Sequence, residues 1–495
     1  MWGLPLCVAM AVMYQPERVS LGVKALLPVA LVWLAARLPG RWLLVLVAVL
    51  PFQQFLIAAR FRTGLPSEIA RDLGFWKELV VLGCGIAAVR QFRDSGKKLD
   101  HVDVLGLTYV GIVALYYLVP DLFIHPIETL GTSTPVEAAA VVVALRNSTS
   151  FVILLLAARH LGLDAPYRAC FVRTLFVAGV VVAALGIFEV VWSEGWNRLV
   201  VDWLQVPRYK DLVLDISSPN PLDVRVYTEV AGRDVLRIGS VFLDQLACGF
   251  YLVAALAVGV ERLARTLERP WVYVATSFIG LALLFTQTRA ALLAGFIAVL
   301  STLRRSSGSS TAARVRFTLL VAAGLVVTVP VALGTGLAQR ASEVVSGGEE
   351  STEVHVARTT GAVASLVNQP LGRGLGTGST TANRFEVDRS LASENYYLHV
   401  GNETGALSMA FFAGLVVSVL RRLRRLGHES GPDLLAMGCR SAFLGLSVAA
   451  LLLDVWIDIA VAWTVWAGVG LSVAASDRSD SRSLGRQYTA QLPAR

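Results

Sequence analysis

The 495-residue sequence predicts an all-α, polytopic membrane protein. Hydrophobic residues make up 55% of the chain and charged residues only 16%, whereas soluble proteins carry about a quarter charged residues. Apolar segments close to the length that spans a bilayer recur along the chain, and basic clusters fall in the short connections between them. These observations predict about 12–14 transmembrane helices and one large extracytoplasmic helical loop.

The apolar segments set the order of the chain. Several are shorter than the roughly 20 residues that cross a bilayer, which is why the predicted helix count is a range. The first segment reads as a retained membrane segment and not as a cleavable signal peptide. The segments are 1–14, 22–38, 42–59, 74–91, 102–120, 147–163, 172–193, 239–262, 271–286, 288–303, 316–337, 396–420, 434–453 and 456–474.

Arginine and lysine predict the orientation. When the segments alternate in direction, six basic clusters fall on one side, which the positive-inside rule assigns to the cytoplasm together with the tail after Ala475. Arg60, Arg62 and Arg71 fall on the opposite side and count against this orientation. The net charge of +8 therefore reflects topology, and no nucleic-acid partner is expected. The six clusters are Arg37 with Arg41, 90–98, 159–173, 262–269, 304–316 and 421–425.

This orientation divides the chain into membrane and loop regions. Loop 338–395 is too long to be a plain connector and should have structure of its own. The predicted regions are 1–193 (N-terminal transmembrane helices), 194–238 (extracytoplasmic loop), 239–337 (transmembrane helices with the arginine motifs), 338–395 (large extracytoplasmic loop), 396–474 (C-terminal transmembrane helices) and 475–495 (cytoplasmic tail).

The five cysteines give no sign of a metal site or a disulfide framework. They are Cys7, Cys84, Cys170, Cys248 and Cys439, scattered through or beside apolar runs without the spacing of metal ligands. Cysteine in such positions acts as a small core residue. No metal and no cofactor is predicted.

A dense polar stretch, 393–405, lies where a long polar loop meets an apolar helix. Glu394, Asn395, Tyr396, Tyr397 and His399 are concentrated there. Uncompensated polar groups beside the apolar slab cost several kcal/mol each, so such a concentration predicts a site. The alternative is an ordinary helix cap with interfacial tyrosines.

Two arginines at the outer ends of helices form a second candidate site. Arg289 lies in a minimal turn, Thr-Gln-Thr-Arg-Ala-Ala, between two apolar segments, and Arg237 opens another segment ahead of Asp244 and Gln245. Charges at membrane depth usually mark a wet cavity. A guanidinium offers a planar fork of donors that suits phosphate oxygens. The alternative is a side chain that snorkels to the headgroup phosphates.

Loop 338–395 contains a predicted amphipathic helix and a glycine run. Val354–Val367 has apolar residues at helical spacing, which predicts a helix at the membrane surface that acts as a lid over an outward-facing cavity. Leu371–Gly378 includes four glycines and Arg373. It lacks the preceding strand and following helix of a nucleotide loop. We expect a tight turn whose amides face an anion.

Four motifs in this order resemble the O-antigen ligase and polymerase superfamily. They are Arg-Ile-Gly-Ser-Val-Phe from Arg237, Thr-Gln-Thr-Arg-Ala-Ala around Arg289, Pro-Leu-Gly-Arg-Gly-Leu-Gly around Arg373, and Glu394-Asn395 followed after nine residues by Gly-Ala-Leu-Ser. Ligases of this family typically have a histidine at the position of Glu394 and a glycine at that of Ser408. The departure favours a polymerase.

The resemblance implies a GT-C-like membrane glycosyltransferase without a metal or cofactor. Its donor would be a polyprenyl-diphosphate-linked oligosaccharide and its acceptor a sugar hydroxyl of another lipid-linked repeat unit. The location would be the bacterial cytoplasmic membrane, with the active site on the extracytoplasmic face. A chain-length regulator and a flippase are candidate partners beside the bilayer.

In this interpretation Arg289 and Arg237 stabilise the departing diphosphate, and Glu394 acts as the base on the attacking hydroxyl. Direct displacement would invert the anomeric configuration. The substrate-binding candidates are Asn395, Tyr396, Tyr397, His399, Arg373, Asp244 and Gln245. Glu189, Asp244 and Asp454 are further candidates to line the cavity.

Three alternatives remain open at this point. A ligase would transfer the glycan to a different acceptor. A transporter or flippase of lipid-linked glycans would show repeats and broken helix pairs, and the sequence has no convincing internal repeat. A peptidoglycan-type glycan polymerase is also polytopic, but its charged motifs are not recognisable in this sequence.

Overall fold

The computed structural model describes residues 21–119, 138–214, 226–230, 233–265, 270–306, 350–378, 393–429 and 433–490. The first half contains α1 (Leu21–Arg37), α2 (Pro39–Val49), α3 (Gln53–Arg62), α4 (Ser67–Leu73), α5 (Trp76–Ser95), α6 (His101–Leu118), α7 (Ala138–His160), α8 (Ala165–Val191), α9 (Ser193–Asn197) and α10 (Val206–Leu214). The second half contains β1 (Val226–Val230), β2 (Arg233–Arg237), α11 (Gln245–Arg265), α12 (Pro270–Phe285), α13 (Arg289–Ser306), α14 (Glu350–Asn368), α15 (Tyr396–Glu429), α16 (Leu434–Ala449) and α17 (Ile459–Ala490).

Six of the described helical segments are long and apolar enough to cross a membrane, and four apolar helices are shorter. The architecture is that of a helical polytopic membrane protein. The predicted 12–14 spans are not reached within the described residues, and the predicted segments 1–14 and 316–337 lie outside them. The six spans are Pro39–Arg62, His101–Leu118, Ala138–His160, Ala165–Val191, Gln245–Ala264 and Tyr396–Leu426.

The predicted all-α fold is interrupted by a two-stranded antiparallel hairpin in loop 194–238. Strands β1 and β2 pair from Val226 with Arg237 to Val230 with Arg233. Val226, Tyr227 and Val230 are residues that favour strands. Arg237 therefore ends a strand. A 3-10 turn follows at Ser240–Phe242 and α11 begins only at Gln245, which corrects the prediction that Arg237 opens a helix.

Residues 193–214 pack onto α3 and α4 in a small hydrophobic core. Trp196, Leu204 and Tyr209 are buried there against Ile57 and Leu65. The predicted extracytoplasmic loop is therefore partly a folded helical layer. We call this end of the bundle, opposite Arg304 and Arg305, the outer end, following the predicted orientation.

This helical layer accounts for two of the arginines that opposed the charge rule. Arg62 Nε donates to the Trp203 carbonyl oxygen at 2.9 Å. Arg71 donates to the carbonyl oxygens of Leu212 and Val213, each at 3.3 Å. Both guanidinium groups bond to carbonyl oxygens in residues 203–213 of this layer, so they stabilise local structure.

Aromatic rings hold the centre of the bundle. Phe151 of α7 packs against Trp466 of α17 with centroids 5.0 Å apart, and Phe443 of α16 packs against the same ring at 4.9 Å. Phe412 of α15 completes the group at 6.0 Å from Trp466. One aromatic cluster thus joins four helices and fixes how α15 lies against the bundle.

Glycines allow the closest helix contacts. A Cβ added to Gly470 of α17 would lie 2.3 Å from the Leu155 carbonyl oxygen of α7, and one added to Gly445 of α16 would lie 2.3 Å from the Ala294 carbonyl oxygen of α13. Small residues at such crossings are the usual way in which membrane helices pack without a hydrophobic driving force between them.

Buried charges at the end predicted to be cytoplasmic are paired. Asp100 caps α6, and its side chain forms a capping box with Asp103. Arg159 at the end of α7 donates to Asp103 at 3.0 Å and also pairs with Asp100. His160 Nε2 lies 2.9 Å from Asp103. This cluster ties the start of α6 to the end of α7.

The helix predicted at Val354–Val367 is confirmed as α14, which packs against α15. Its apolar residues Val356, Val363 and Val367 are 61%, 46% and 73% exposed, as expected for a helix that meets the membrane surface. Helix α17 extends to Ala490, so much of the predicted tail 475–495 is helical.

Candidate functional site

The structure joins Arg237 to the turn that contains Arg289. Arg237 Nε donates to the Thr286 carbonyl oxygen and Nη2 donates to Thr288 Oγ1, both at 3.2 Å. The next amide, of Ile238, donates to the Phe285 carbonyl oxygen at 3.2 Å. The end of β2 is thereby bonded to the connection between α12 and α13, and the two predicted arginines lie at one place.

Helix α13 starts with a cation at its positive end. Arg289 is the first residue of α13, its side chain is exposed, and the first turn contains no acidic residue. The helix dipole makes this end favourable for negative charge and unfavourable for a cation. Arg237 is bonded to the turn that leads into this helix terminus, where free amides and the helix dipole favour an anion.

Backbone strain concentrates around these residues. Among the described residues, positive φ angles at non-glycine positions occur at Ser240 (49°), Leu243 (56°), Gln287 (50°) and Gln205 (50°). The first three belong to the two segments that Arg237 joins. Such conformations cost about 1–3 kcal/mol each and tend to cluster at functional sites. The strain supports a functional role for this turn.

Glu189 of α8 fixes the backbone beside Arg237. This carboxyl group is 3% exposed, and its Oε2 accepts hydrogen bonds from the amides of Gly239 at 3.2 Å and Ser240 at 2.8 Å. Ser240 Oγ in turn donates to the Val182 carbonyl oxygen of α8 at 2.8 Å. Predicted as a residue that lines a cavity, Glu189 positions the strand end that carries Arg237.

Asp244 and Gln245 lie at the start of α11, next to the arginine turn. Asp244 Oδ1 accepts from the Ala247 amide at 2.8 Å, so its side chain caps the helix. The Gln245 carbonyl oxygen lies 3.3 Å from Thr288 Oγ1. Both contacts are structural in this conformation, and the predicted ligand-binding roles of these two residues remain predictions.

Helix α15 is broken where the glycine run crosses it. Thr404 and Gly405 have non-helical backbone angles. The Arg373 amide donates to the Asn402 carbonyl oxygen at 2.7 Å, and the Ala406 amide donates to the Pro370 carbonyl oxygen at 2.8 Å. The glycine run supplies hydrogen-bond partners for groups that a broken membrane helix would leave unsatisfied.

A buried carboxyl group holds the glycine run in place. Glu403 is 1% exposed, and its Oε1 accepts from the amides of Gly376 and Gly378, both at 3.1 Å. Its Oε2 lies 3.6 Å from Nε2 of His399, which is 3% exposed. The amides predicted to face an external anion bind a carboxyl group of the chain itself.

Glu394, the predicted base, pairs with α14. Its two carboxyl oxygens contact Arg358 and His355. These contacts connect the segment before α15 to the amphipathic helix. Both carboxyl oxygens of Glu394 are therefore already occupied by side chains of α14 in this conformation. The helix cap that was the alternative role of Glu394 belongs to Asn395, whose Oδ1 accepts from the Leu398 amide at 3.1 Å.

The tyrosines of this stretch point into the protein. Tyr396 is 0% exposed and packs against Phe151 and Phe412. Its ring has no face open to a sugar in this conformation. Tyr397 is partly buried and its hydroxyl donates to the Ser447 carbonyl oxygen at 3.1 Å. Asn395 Nδ2 donates to the Leu451 carbonyl oxygen at 3.0 Å, so the start of α15 is attached to the end of α16.

The sequence predicted the arginine turn but missed two buried polar residues. Glu403 and Gln287 both lie inside the polar stretch or the motifs described above, but the sequence pattern did not predict either as a site residue. Their side chains are 1% and 3% exposed, and this burial depends on tertiary packing that residue type alone does not show. The Thr-Gly pair at 404–405 inside an apolar run was the available signal for the helix break.

The fold and these polar clusters define a helical multi-pass membrane protein with an arginine-rich site at its outer end. No family model matches the chain, and no protein of curated function matches its sequence.

Proposed function

We propose that this protein is a membrane glycosyltransferase of the polysaccharide-polymerase type. The observation that carries the proposal is the convergence of Arg237, Arg289 and the start of α13 in one strained turn. The ligand that suits two guanidinium groups beside a helix N-terminus is a phosphate or diphosphate. At the end of a membrane bundle, a lipid-linked diphosphate is a ligand of this kind.

The chemistry follows from the charge that a diphosphate gains as it departs. A hydroxyl of the acceptor glycan attacks the anomeric carbon of the donor, the carbon–oxygen bond to the diphosphate breaks, and the hydroxyl proton passes to a base or to water. Preorganised cations that bind the leaving group can lower this barrier by several kcal/mol. Arg289 and Arg237 have this role in the proposal.

The proposed location is a bacterial cytoplasmic membrane with the arginine turn on the extracytoplasmic side. The basic clusters of the short connections support this orientation. Arg62 and Arg71, which count against this orientation, donate to carbonyl oxygens of residues 203–213 and so also have a local structural role. The donor and acceptor would both be lipid-linked glycans, and the bilayer would deliver both to the outer end.

The test is transfer by purified protein in liposomes with a defined polyprenyl-diphosphate-linked repeat unit. The proposal predicts a ladder of products in which successive bands differ by one repeat unit. Addition of a single glycan to another acceptor would point to a ligase instead. Intact substrate with no new glycosidic bond, under conditions where the protein remains folded, would refute the glycosyltransferase.

A transporter of lipid-linked glycans is the second candidate, because α15 is broken at Thr404 and Gly405. Broken helices in transporters present free backbone groups to a substrate. Here the glycine run bonds to the groups at the break, which favours the transferase. Movement of a fluorescent lipid-linked glycan across the liposome membrane, without polymer formation, would establish the transporter.

A further inference from the structure

Gln287 is a buried amide in the centre of the arginine turn. Its side chain is 3% exposed, and within the described part of the chain neither Oε1 nor Nε2 has a hydrogen-bond partner. Buried side-chain amides are nearly always bonded, and each exception asks for an explanation. The neighbouring residues Thr286 and Thr288 both use their hydroxyls in hydrogen bonds, so within this turn the unsatisfied side chain is that of Gln287.

The backbone at Gln287 is strained as well. Its φ of 50° lies in the left-handed region that glycine adopts without cost. A turn selected only for stability would place a glycine there. The chain instead has a residue with a donor and an acceptor, held in a costly conformation and left unsatisfied. The strained backbone and the unsatisfied amide are independent costs at one residue, and their coincidence indicates a functional role for Gln287.

The position of Gln287 relates it to the proposed donor. Its Cα lies at most about 7 Å from that of Arg289, and Arg237 donates to the residues on both sides of it. A diphosphate bound by these arginines brings its attached sugar to the same turn, and the Gln287 amide meets that sugar by rotating out of its buried position. A carboxamide offers both a donor and an acceptor, which matches a sugar hydroxyl or acetamido group and does not match a phosphate oxygen alone.

We propose that Gln287 is a specificity-determining residue that hydrogen-bonds a hydroxyl or acetamido group of the sugar on the donor diphosphate. The proposal rests on the proposed function, because it takes the diphosphate site as given. A site with an amide reserved for such a group discriminates strongly against ligands that lack it, since the amide then stays unpaired.

Gln287→Met tests this, because methionine has similar length, is unbranched at Cβ and has no amide. The protein is reconstituted in nanodiscs and titrated with a polyprenyl diphosphate that carries N-acetylglucosamine and with the same diphosphate without a sugar. We expect at least a tenfold loss of affinity for the glycosylated ligand and no change for the bare diphosphate. Equal affinities of variant and wild type for both ligands would overturn the proposal.

Thermal stability gives a readout that does not depend on transfer. Removal of an unsatisfied buried amide should raise the melting temperature of Gln287→Met by about 1–3 °C. The control is Gln54→Met, which removes an amide that does have a partner, the Tyr209 hydroxyl. This variant should have a lower melting temperature than wild type. A decrease for Gln287→Met together with equal weakening of both ligands would make Gln287 a structural residue of the turn.

The two readouts separate the failure of this proposal from that of the proposed function. If wild-type protein binds neither diphosphate, the proposed function is refuted and the sugar contact with it. If wild type binds both ligands and Gln287→Met binds them with unchanged affinity, the diphosphate site stands and only the role of Gln287 is rejected.

Discussion

Single residues in this protein show how burial and partners change the interpretation of a motif. Arg237 and Arg289 were predicted from their position at helix ends, and the contacts of Arg237 with Thr286 and Thr288 bring them together. Tyr396 was predicted to bind sugar and lies in the aromatic core. Residue type and spacing are visible in the sequence, whereas the direction of a side chain depends on tertiary packing.

Glu394 allows a direct test of two roles. With Arg358 and His355 as its partners, we expect Glu394→Gln to weaken the attachment of α14 to the start of α15 and to change the rate of glycan transfer by less than about tenfold. The base hypothesis requires a loss of about 10²–10⁴-fold. Single-turnover rates and hydrogen exchange in 355–368 measure the two effects.

If Glu394→Gln lowers the transfer rate by about 10²–10⁴-fold and hydrogen exchange in α14 is unchanged, Glu394 is the base. Arg358→Gln is the matched control, because it breaks the same ion pair from the other side without removing the carboxyl group. If the ion pair alone matters, the two variants should behave alike.

Asp100 gives a prediction on pH. Burial disfavours its charged form, but the hydrogen bonds and charge of Arg159 outweigh burial, so the pKa of Asp100 falls from 3.8 to about 2. A carboxyl group with a lowered folded pKa stabilises the fold above its unfolded pKa, and this contribution is lost as pH falls through the folded value. Wild type should therefore lose stability between about pH 4 and pH 2.

Asp100→Asn is the comparison for this effect. The variant lacks the carboxyl group, so its melting temperature should be lower at pH 6 and should change less between pH 4 and pH 2. Parallel pH curves for the two proteins in the same detergent would contradict the assigned role of the Arg159 pair.

At the scale of elements, the helix pattern was predictable and the irregular segments were not. The periodicity of Val354–Val367 predicted α14 because an amphipathic face repeats with the helix. The segment after β2 and the break at Thr404 are held by long-range contacts, with Glu189 and with the glycine run. Such contacts leave no periodic signal in the sequence, so the apolar segment 396–420 was predicted without the break at Thr404 and Gly405.

Gly372 tests the close contact between the glycine run and α15. Its φ is 81°, and an added Cβ would lie 2.6 Å from the Gly405 backbone nitrogen. Gly372→Ala should destabilise the protein by more than about 1 kcal/mol, because both the backbone angle and the space exclude a side chain. Denaturation of the detergent-solubilised protein measures the change.

Gly361→Ala in α14 is the matched control. Nothing lies within 4 Å of the added Cβ at Gly361, and alanine is favoured over glycine in a helix. This variant should be neutral or slightly stabilising. Equal effects of the two substitutions would mean that the glycine run is not packed tightly on α15.

At the scale of the whole molecule, the orientation is the prediction on which the site depends. The basic connections place α5 and α6 in contact with the cytoplasm at residues 95–100, and they place residues 193–214 outside. Single cysteines replace the exposed residues Glu194 and Ser95 in a variant that lacks the native cysteines. A membrane-impermeant maleimide should label position 194 from outside and position 95 only after permeabilisation.

The reverse labelling pattern would place the arginine turn in the cytoplasm. The proposed use of an extracytoplasmic lipid-linked donor would then fail, even if the turn binds phosphate. Labelling of both positions from one side would mean that the chain crosses the membrane an even number of times between them, against the odd number that the apolar segments predict.

The most direct test of the central claim is the binding of a polyprenyl diphosphate by wild type, Arg289→Ala and Arg289→Lys in nanodiscs. We expect Arg289→Ala to bind the diphosphate at least tenfold more weakly than wild type does. Arg289→Lys should recover little of this affinity, since lysine lacks the bidentate fork. The affinity for an uncharged polyprenol should not change. Arg237→Ala should be impaired in the same direction. Wild-type diphosphate affinity in Arg289→Ala, in a protein that remains folded, would contradict the account.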